Sequence, residues 1–174
     1  MSVAPRGRNT ARSLKIHIVH AHPLGTTSAS PASEIHLYRH RLRVTDLDYL
    51  GHVGNVRLLD YLQEAQVAML DPRRERVFRT KGPTYLIAKH NVSYLRRLTF
   101  RDNPVEVETV VGRIGTCDVV VNSRLRDEKA VYARCRTIWV ACTLPEGGTR
   151  RLDDEERERL ARFSGTIDEI PAAR

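Results

Sequence analysis

The feature that most constrains this chain is the stretch of residues 43–70, in which a turn rich in Asp and Gly leads into an amphipathic helix. Apolar residues recur there at steps of three and four, the spacing of one helix face: Leu58, Leu62, Ala65 and Met69. Polar residues are expected mostly on the opposite face: Asp60, Gln63, Glu64 and Gln66. Asp71-Pro72 is expected to end the helix, because the residue before a proline is disfavoured in helical geometry. The pattern predicts a helix that packs along its length against a sheet.

The turn before this helix carries polar residues and glycines up to the point where the helix begins: Asp46, Asp48, Gly51, His52, Gly54 and Asn55. The first amides of a helix have no partner inside it, and they carry about half a positive charge. They stabilise an anion or a polarised carbonyl oxygen, and a carboxylate just upstream can act on the same group. The turn therefore predicts a site at which a carbonyl oxygen becomes an oxyanion. On the residues alone, a simpler interpretation is that Asp46 and Asp48 only cap the turn.

The rest of the chain has the pattern of antiparallel strands followed by a short helix. Strands are expected at residues 35–44, 84–95, 105–111, 116–126 and 131–143, with a turn at residues 112–115. A helix is expected over residues 153–163, because Asp153 and Glu156 have the spacing of a capping box. This order of elements predicts an α+β fold in which an antiparallel sheet wraps around one long central helix.

Length and charge divide the chain into one domain and two tails. The 174 residues suit a single domain, which we place at residues 34–165, with a C-terminal tail at 166–174. Residues 1–33 are rich in Ser, Ala, Pro and Arg and contain no acid, so they predict a flexible basic extension. Organellar targeting by this extension is the less favoured interpretation. Because its four basic residues supply half of the net charge of +8, the charge gives little support to a specific nucleic-acid-binding domain.

The cysteines bear on the cellular compartment, and the histidines bear on whether the chain binds a metal. The three cysteines form no CxxC pair, so a reducing compartment, the cytoplasm, is expected, and Cys135 and Cys142 are interpreted as strand residues. The loose cluster of His17, His20 and His22 lacks further ligands, and we predict no metal there. No apolar run approaches the ~20 residues of a membrane-spanning helix.

The ten residues from Asp46 to Asn55 read Asp-Leu-Asp-Tyr-Leu-Gly-His-Val-Gly-Asn and precede an aliphatic helix. They resemble the signature of the hotdog-fold acyl-CoA thioesterases of the 4-hydroxybenzoyl-CoA thioesterase type, whose common form is Asp-x-Asp-x-x-Gly-His-Val-Asn-Asn. The likeness extends over residues 35–163. Gly54 departs from the signature, because many relatives carry Asn there. The resemblance implies a hotdog fold and hydrolysis of an acyl-CoA or related acyl thioester, with no cofactor and no metal.

The resemblance also implies roles for the residues of the turn. Asp48 corresponds to the catalytic carboxylate, which acts either as a general base for water or as a nucleophile that forms a mixed anhydride. The backbone amides of Asn55 and Val56 would polarise the thioester oxygen. Gly51 and Gly54 would let the backbone turn and approach the ligand closely.

Other candidate residues have weaker support. His52 is a candidate for contacting substrate or steadying the Asp48 loop, and a structural role is at least as well supported. Glu64 is considered because a second branch of hotdog thioesterases takes its carboxylate from the long helix, but a solvated face is favoured. Arg96 and Arg97 at a strand end, and Arg113 in the expected turn, are candidates for binding the phosphates of coenzyme A. Each arginine taken singly is also consistent with ordinary solvated surface.

Two alternative functions and the oligomeric state complete the expectations. A hotdog protein could bind acyl thioesters without hydrolysing them. A basic nucleic-acid-binding domain would belong to another class, and the scarcity of aromatic residues disfavours it. The resemblance implies a homodimer or homotetramer with the active site at a subunit boundary, and an unpaired sheet edge would favour such pairing. The acyl group, and the choice between coenzyme A and a carrier protein, stay open.

Overall fold

A computed structural model of the chain describes residues 34–72 and 81–167. Strand β1 (His36–His40) is followed by a single 3-10 turn (Val44–Asp46) and by helix α1 (Asn55–Leu70). Five strands and a helix follow: β2 (Gly82–Tyr94), β3 (Val105–Ile114), β4 (Asp118–Arg126), β5 (Val131–Leu144), β6 (Gly148–Thr149) and α2 (Asp154–Ala161). The predicted extension at residues 1–33, the three histidines within it and residues 168–174 lie outside the described part of the chain.

The strands form one antiparallel sheet in the order β1-β3-β4-β5-β2, with the short β6 paired to β5. Helix α1 lies along one face of this sheet, over β1, β3 and β4. A sheet packed on one long helix confirms the predicted hotdog fold. Within the described residues, β1 and β2 are the outer strands of the sheet.

The apolar face of α1 is buried in two successive groups of side chains. Near its start, Leu58 and Leu62 belong to a core cluster with residues from the loop after β2, the start of β3 and the hairpin ends of β4 and β5. Near its end, Met69 and Leu70 belong to a second cluster that includes Leu160 of α2. We call the end of the molecule that holds the start of α1, residues 95–104 and the β4–β5 hairpin the front end. The end at which α1 stops and α2 packs is called the rear end.

Three expectations from the sequence are corrected by the structure. Gln66 was expected on the polar face of α1, but it lies four residues after Leu62 and is completely buried. Its amide donates to Ser123 Oγ (3.1 Å) and accepts from the indole of Trp139 (2.9 Å), so the burial leaves neither end of the amide unpaired. The turn expected at residues 112–115 is wrong, because β3 continues to Ile114 through a bulge at Gly112. The first strand was expected to run to Val44 but ends at His40, and a 3-10 turn occupies Val44–Asp46.

The capping of α2 follows the sequence pattern. Asp153 is the N-cap residue, and its carboxylate accepts from the amide of Glu156 (2.8 Å). The carboxylate of Glu156 accepts in return from the amide of Asp153 (3.1 Å). The predicted capping box is therefore confirmed, and it fixes the start of this short helix at the rear end.

Candidate active site

Asp48 closes the turn that precedes α1. Its Oδ1 accepts from the backbone amides of Leu50 (2.9 Å) and His52 (3.1 Å), and its own amide donates to the carbonyl of His52 (2.7 Å). Gly51 has a φ of +75°, in the left-handed region that favours glycine. The capping interpretation of Asp48 is therefore correct for one of its two oxygens.

The second carboxylate oxygen of Asp48, Oδ2, does not take part in capping the turn. Asp48 is exposed, and Oδ2 has no hydrogen-bond partner among residues 34–72 and 81–167. One carboxylate oxygen thus holds the loop in shape while the other stays available to solvent. A carboxylate held in this way can accept a proton from water or attack an electrophilic carbon.

Backbone contacts fix the turn against the body of the protein. The amide of Val53 donates to the carbonyl of Leu98 (2.8 Å), and His52 forms an isolated bridge with Thr99. Leu47, the residue before Asp48, forms a second isolated bridge with Val53, which directly precedes the N-cap Gly54. The turn lies at the front end, against residues 95–104.

The start of α1 is open. Its N-cap is Gly54, which has no side chain to accept from the first amides, and the carbonyl of Gly54 is already bonded to the amide of Leu58 (3.1 Å). Within the described residues, the amides of Asn55, Val56 and Arg57 have no acceptor. Asn55 and Arg57 are exposed, and 71 % of Val56 is accessible. The 16-residue helix therefore presents its positive end to solvent, at the end of the turn that carries Asp48.

The first Asp of the motif lies on the other side of the chain from the second. Asp46 is buried, and its Oδ2 accepts from the hydroxyl of Tyr61 (2.6 Å) and the amide of Arg43 (2.8 Å). Burial acts to raise the pKa of this carboxyl, but these two hydrogen bonds, with smaller contributions from nearby positive charge, hold the pKa below its ordinary value. Burial and the bond to Asp46 raise the pKa of the Tyr61 hydroxyl. Asp46 is thus an internal, ionised anchor.

The structure brings some of the predicted arginines to this site and separates another from it. Arg96 and Arg97 are exposed in the loop whose backbone contacts the turn. Arg113 lies near the far end of β3, about 25 Å along the strand from its front end, and pairs with Asp118. Within one chain, Arg113 is therefore not part of the site. Arg113 was expected in a turn, but β3 continues through a bulge at Gly112 and Arg113 stays paired with Val120 in the sheet.

Three further candidates have defined surroundings. His52 contributes its backbone to the Asp48 turn and its side chain is partly exposed, which fits a steadying role. Glu64 is half exposed on α1 and lies 3.4 Å from Nδ1 of His40. Gly54 has a φ of −62° and room for a side-chain carbon, so the turn requires glycine at position 51 but not at 54.

Tyr61 is the site residue that sequence reasoning missed. It lies next to Leu62 on the buried face of α1, where it was indistinguishable from an ordinary core residue. Its hydroxyl was the available signal, because a buried Tyr hydroxyl needs a hydrogen-bond partner and the turn before the helix carries polar residues, Asp46 among them. His40 stacks on the same ring, with centroids 3.8 Å apart and planes at 28°.

Large apolar side chains are exposed around the open helix start. Tyr49 is 95 % accessible and Leu50 is 60 % accessible, and both belong to the turn itself. Others lie at the end of β2 and in the adjoining loop: Tyr94, Leu95 and Phe100. Exposed apolar side chains grouped in this way are typical of surfaces that bind a ligand or another chain.

The match to known protein families covers most of the chain. A family model described as the thioesterase-like superfamily matches residues 42–165. The chain belongs to this superfamily. Membership confirms the resemblance found in the sequence and the predicted class of enzyme, a thioester hydrolase. A search of curated proteins finds no match to the chain.

Solved structures of thioesterases share the fold of this superfamily member. A Thermus thermophilus thioesterase complexed with coenzyme A and Zn superposes with a TM-score of 0.62 at 24% identity, covering 76% of this chain and 96% of that one. A 1,4-dihydroxy-2-naphthoyl-CoA thioesterase from Synechocystis gives a TM-score of 0.64 at 15% identity, covering 73% and 96%. At these levels of identity, the two superpositions show that this chain has the same fold.

Neither a metal-binding cluster nor a membrane-spanning helix is found in the described residues. The described residues contain no group of three or more His, Cys, Asp or Glu side chains arranged to hold a metal ion. In the same part of the chain, no helix has the length and apolar character needed to cross a membrane.

Proposed function

We propose that this thioesterase-like protein hydrolyses acyl-CoA to the free acid and coenzyme A at the front end of α1. The observation that carries the proposal is the pairing of two features on one turn: the exposed Asp48 carboxylate with a spare oxygen, and the open start of α1. The names of two structural neighbours, one complexed with coenzyme A and one a naphthoyl-CoA thioesterase, support coenzyme A as the carrier of the acyl group.

In the proposed reaction, the thioester carbonyl oxygen accepts from the free amides of Asn55 and Val56. These donors stabilise the negative charge that develops on that oxygen, and losing one such donor typically costs roughly 3 kcal/mol. With Asp48 as general base, water adds to the carbonyl carbon and its proton passes to Oδ2. The carbon–sulfur bond then breaks, and the thiolate of coenzyme A leaves. With Asp48 as nucleophile, the same oxygen attacks the carbon and displaces the thiolate of coenzyme A, and water then hydrolyses the resulting mixed anhydride to the free acid and the Asp48 carboxylate.

Arg96 and Arg97 support binding of the coenzyme A phosphates. Both are exposed on the loop whose carbonyl at Leu98 holds the turn, so their charges lie at the same end of the molecule as Asp48. A guanidinium group pairs well with phosphate oxygens. Arg113 lies near the other end of β3 within one chain, so we do not assign it to this role.

We also propose a homodimer, or a pair of such dimers, in which a second copy covers the front end. The exposed apolar side chains of Tyr49, Leu50 and Val56 surround the helix start, and the outer strand β2 has 13 residues. An unpaired strand edge of this length commonly pairs with another chain. Light scattering tests the assembly, and a fully active monomer would contradict it.

A panel of acyl-CoA substrates with aromatic, short-chain and long-chain acyl groups, assayed by release of free thiol, tests the activity. We expect hydrolysis of at least one member, with lower activity on the matching acyl-pantetheine because it lacks the nucleotide phosphates. Binding of acyl-CoA without thiol release would support the alternative of a non-catalytic acyl-thioester-binding protein.

A further inference from the structure

We propose that Asp46 and Tyr61 are positioning residues that hold the Asp48 turn in register with the start of α1. The inference rests on the thioester hydrolysis proposed above and extends it to two residues that do not touch the substrate. It starts from the exposure of Asp48, whose carboxylate bonds only to amides of its own turn within the described chain. These bonds, with the pairing of Leu47 and Val53, tie Asp48 to the chain just before Gly54, but none of them reaches α1 itself.

Asp46 contacts both parts that must be aligned. Its backbone carbonyl accepts from the amide of Gly54 (3.1 Å), the residue directly before the first free helix amide. Its side chain accepts from the hydroxyl of Tyr61 (2.6 Å), in the second turn of α1. Because Asp46 precedes Asp48 by two residues, one residue links the catalytic turn to both the cap and the body of the helix.

Tyr61 is itself held on both sides. Only 3 % of the residue is accessible, and its ring packs in the front core cluster. His40 of β1 stacks against the ring at 3.8 Å between centroids. The hydroxyl therefore offers Asp46 a hydrogen-bond donor whose position is set by both α1 and β1.

Stability alone does not account for a buried ionised carboxylate at this position. Removing a carboxylate from water is costly, and a well-packed apolar pair of similar volume is often as stable or more stable. Among the described residues, Asp46 forms no ion pair with Arg or Lys. What the carboxylate provides is a short, directional bond from loop to helix. Small misplacements of a reacting group can lower a rate about 100-fold, so such a bond bears directly on catalysis.

The protein contains a matched control for this proposal at its rear end. Tyr85 is also buried, and its hydroxyl donates to the buried carboxylate of Glu156 (2.8 Å). Tyr61→Phe and Tyr85→Phe each delete one hydroxyl that donates to a carboxylate in the core. We expect both variants to fold, with some loss of thermal stability in each. We expect Tyr61→Phe alone to lower kcat, by about tenfold or more, with KM within about threefold of wild type.

A second pair of variants separates geometry from charge. Asp46→Asn retains an oxygen that can accept from Tyr61, whereas Asp46→Ala does not. We expect Asp46→Asn to keep a kcat at least about tenfold above that of Asp46→Ala. A purely structural role would change the melting temperature of these variants and leave kcat of the folded fraction unaltered.

The outcomes distinguish this inference from the proposed function. If wild type hydrolyses a thioester and Tyr61→Phe has wild-type kcat, or Tyr85→Phe loses as much as Tyr61→Phe, the positioning role is overturned while the function stands. The same conclusion follows if Asp46→Asn and Asp46→Ala have equal kcat. If wild type hydrolyses no thioester in the panel, both proposals fall together.

Discussion

At each end of the molecule, a buried Tyr hydroxyl donates to a buried carboxylate, but the surroundings of the two pairs differ. At the rear end, the carboxylate of Glu156 receives the hydroxyl of Tyr85 (2.8 Å) and two bonds from the guanidinium of Arg150 (2.7 Å each). At the front end, the carboxylate of Asp46 receives the hydroxyl of Tyr61 (2.6 Å) and one backbone amide, with no Arg or Lys ion pair in the described residues. Both carboxylates are buried.

The helix starts and apolar side chains near the two carboxylates are also covered at the rear end and exposed at the front end. At the rear, α2 is capped by Asp153 and the apolar side chains of Leu152 and Leu160 are buried. At the front, α1 begins without a capping side chain, and Tyr49 and Val56 are exposed. At the rear end, the carboxylate of Glu156 is paired with Arg150 and the side chains of Leu152 and Leu160 are covered, which stabilises the fold. The front end leaves amides, a carboxylate and apolar surface open, which is what a substrate requires.

The largest effect should come from Asp48→Asn, which tests whether the open end is the catalytic one. Asparagine keeps an oxygen for the amides of Leu50 and His52, so the turn should hold its shape. Loss of the basic oxygen should lower kcat by a factor of about 100 to 10,000. Thiol release from the best acyl-CoA measures it. Asp60→Asn, which alters a half-exposed carboxylate paired with Arg57 on the same helix, is the control and should retain wild-type kcat.

A wild-type rate in Asp48→Asn would remove Asp48 from the mechanism and direct attention to Glu64, the other carboxylate considered from the sequence. The variant would then have to be compared with Glu64→Gln, whose side chain lies on α1 near His40.

Arg150→Met is the corresponding test at the rear end. It leaves Glu156 buried without its guanidinium partner, and such a loss typically costs about 3 kcal/mol or more of unfolding free energy. Urea denaturation measures the change. The kcat of the folded variant should be unchanged because Arg150 lies at the far end of the helix. Arg113→Met breaks an ion pair whose arginine is 55% exposed, and it should cost less than about 1 kcal/mol.

The sequence predicted the elements at both ends because their signals are local. The spacing of Leu58, Leu62 and Met69 predicted α1, and the proline at 72 predicted its end. The capping box predicted the start of α2. The resemblance of residues 46–55 to a thioesterase signature predicted the hotdog fold, which the structure and the family match confirm.

The division of labour between Asp46 and Asp48 could not be predicted in this way. Two residues at a spacing of two lie on the same face of an extended strand. The 3-10 turn at Val44–Asp46 breaks that periodicity and sends Asp46 inward and Asp48 outward. The same limit applies to Arg113, because a bulge depends on pairing with a strand distant in sequence.

A smaller, pH-dependent effect should come from Asp127, which anchors the loop that supports the front end. Burial acts to raise the pKa of Asp127, but the hydroxyl of Tyr132, the amides of Lys129 and Ala130 and the charge of Arg101 lower it to about 2. A carboxyl with a lowered folded-state pKa stabilises the protein above its unfolded pKa of about 3.9 and loses that contribution as the pH falls through the folded value.

Asp127→Asn should therefore lower the unfolding free energy by about 2 kcal/mol above pH 5, and the difference from wild type should shrink between about pH 4 and pH 2. Denaturation at a series of pH values measures this. Glu128→Gln changes an exposed neighbour in the same hairpin and should show little effect at any of these pH values. A difference that is constant with pH would show that the charge of Asp127 is not what holds the loop.

The smallest effect we predict separates the two glycines of the open turn. Gly51 has a φ of +75°, so Gly51→Ala forces a side chain into the left-handed region at a cost of about 1 kcal/mol. At Gly54, φ is −62° and a new side-chain carbon would find its nearest neighbour, the carbonyl oxygen of Asp46, 3.9 Å away. Gly54→Ala should thus leave the unfolding free energy within about 0.5 kcal/mol of wild type. Urea denaturation of the two variants gives both numbers. A loss in Gly54→Ala as large as that in Gly51→Ala would mean that glycine is required where the open helix begins.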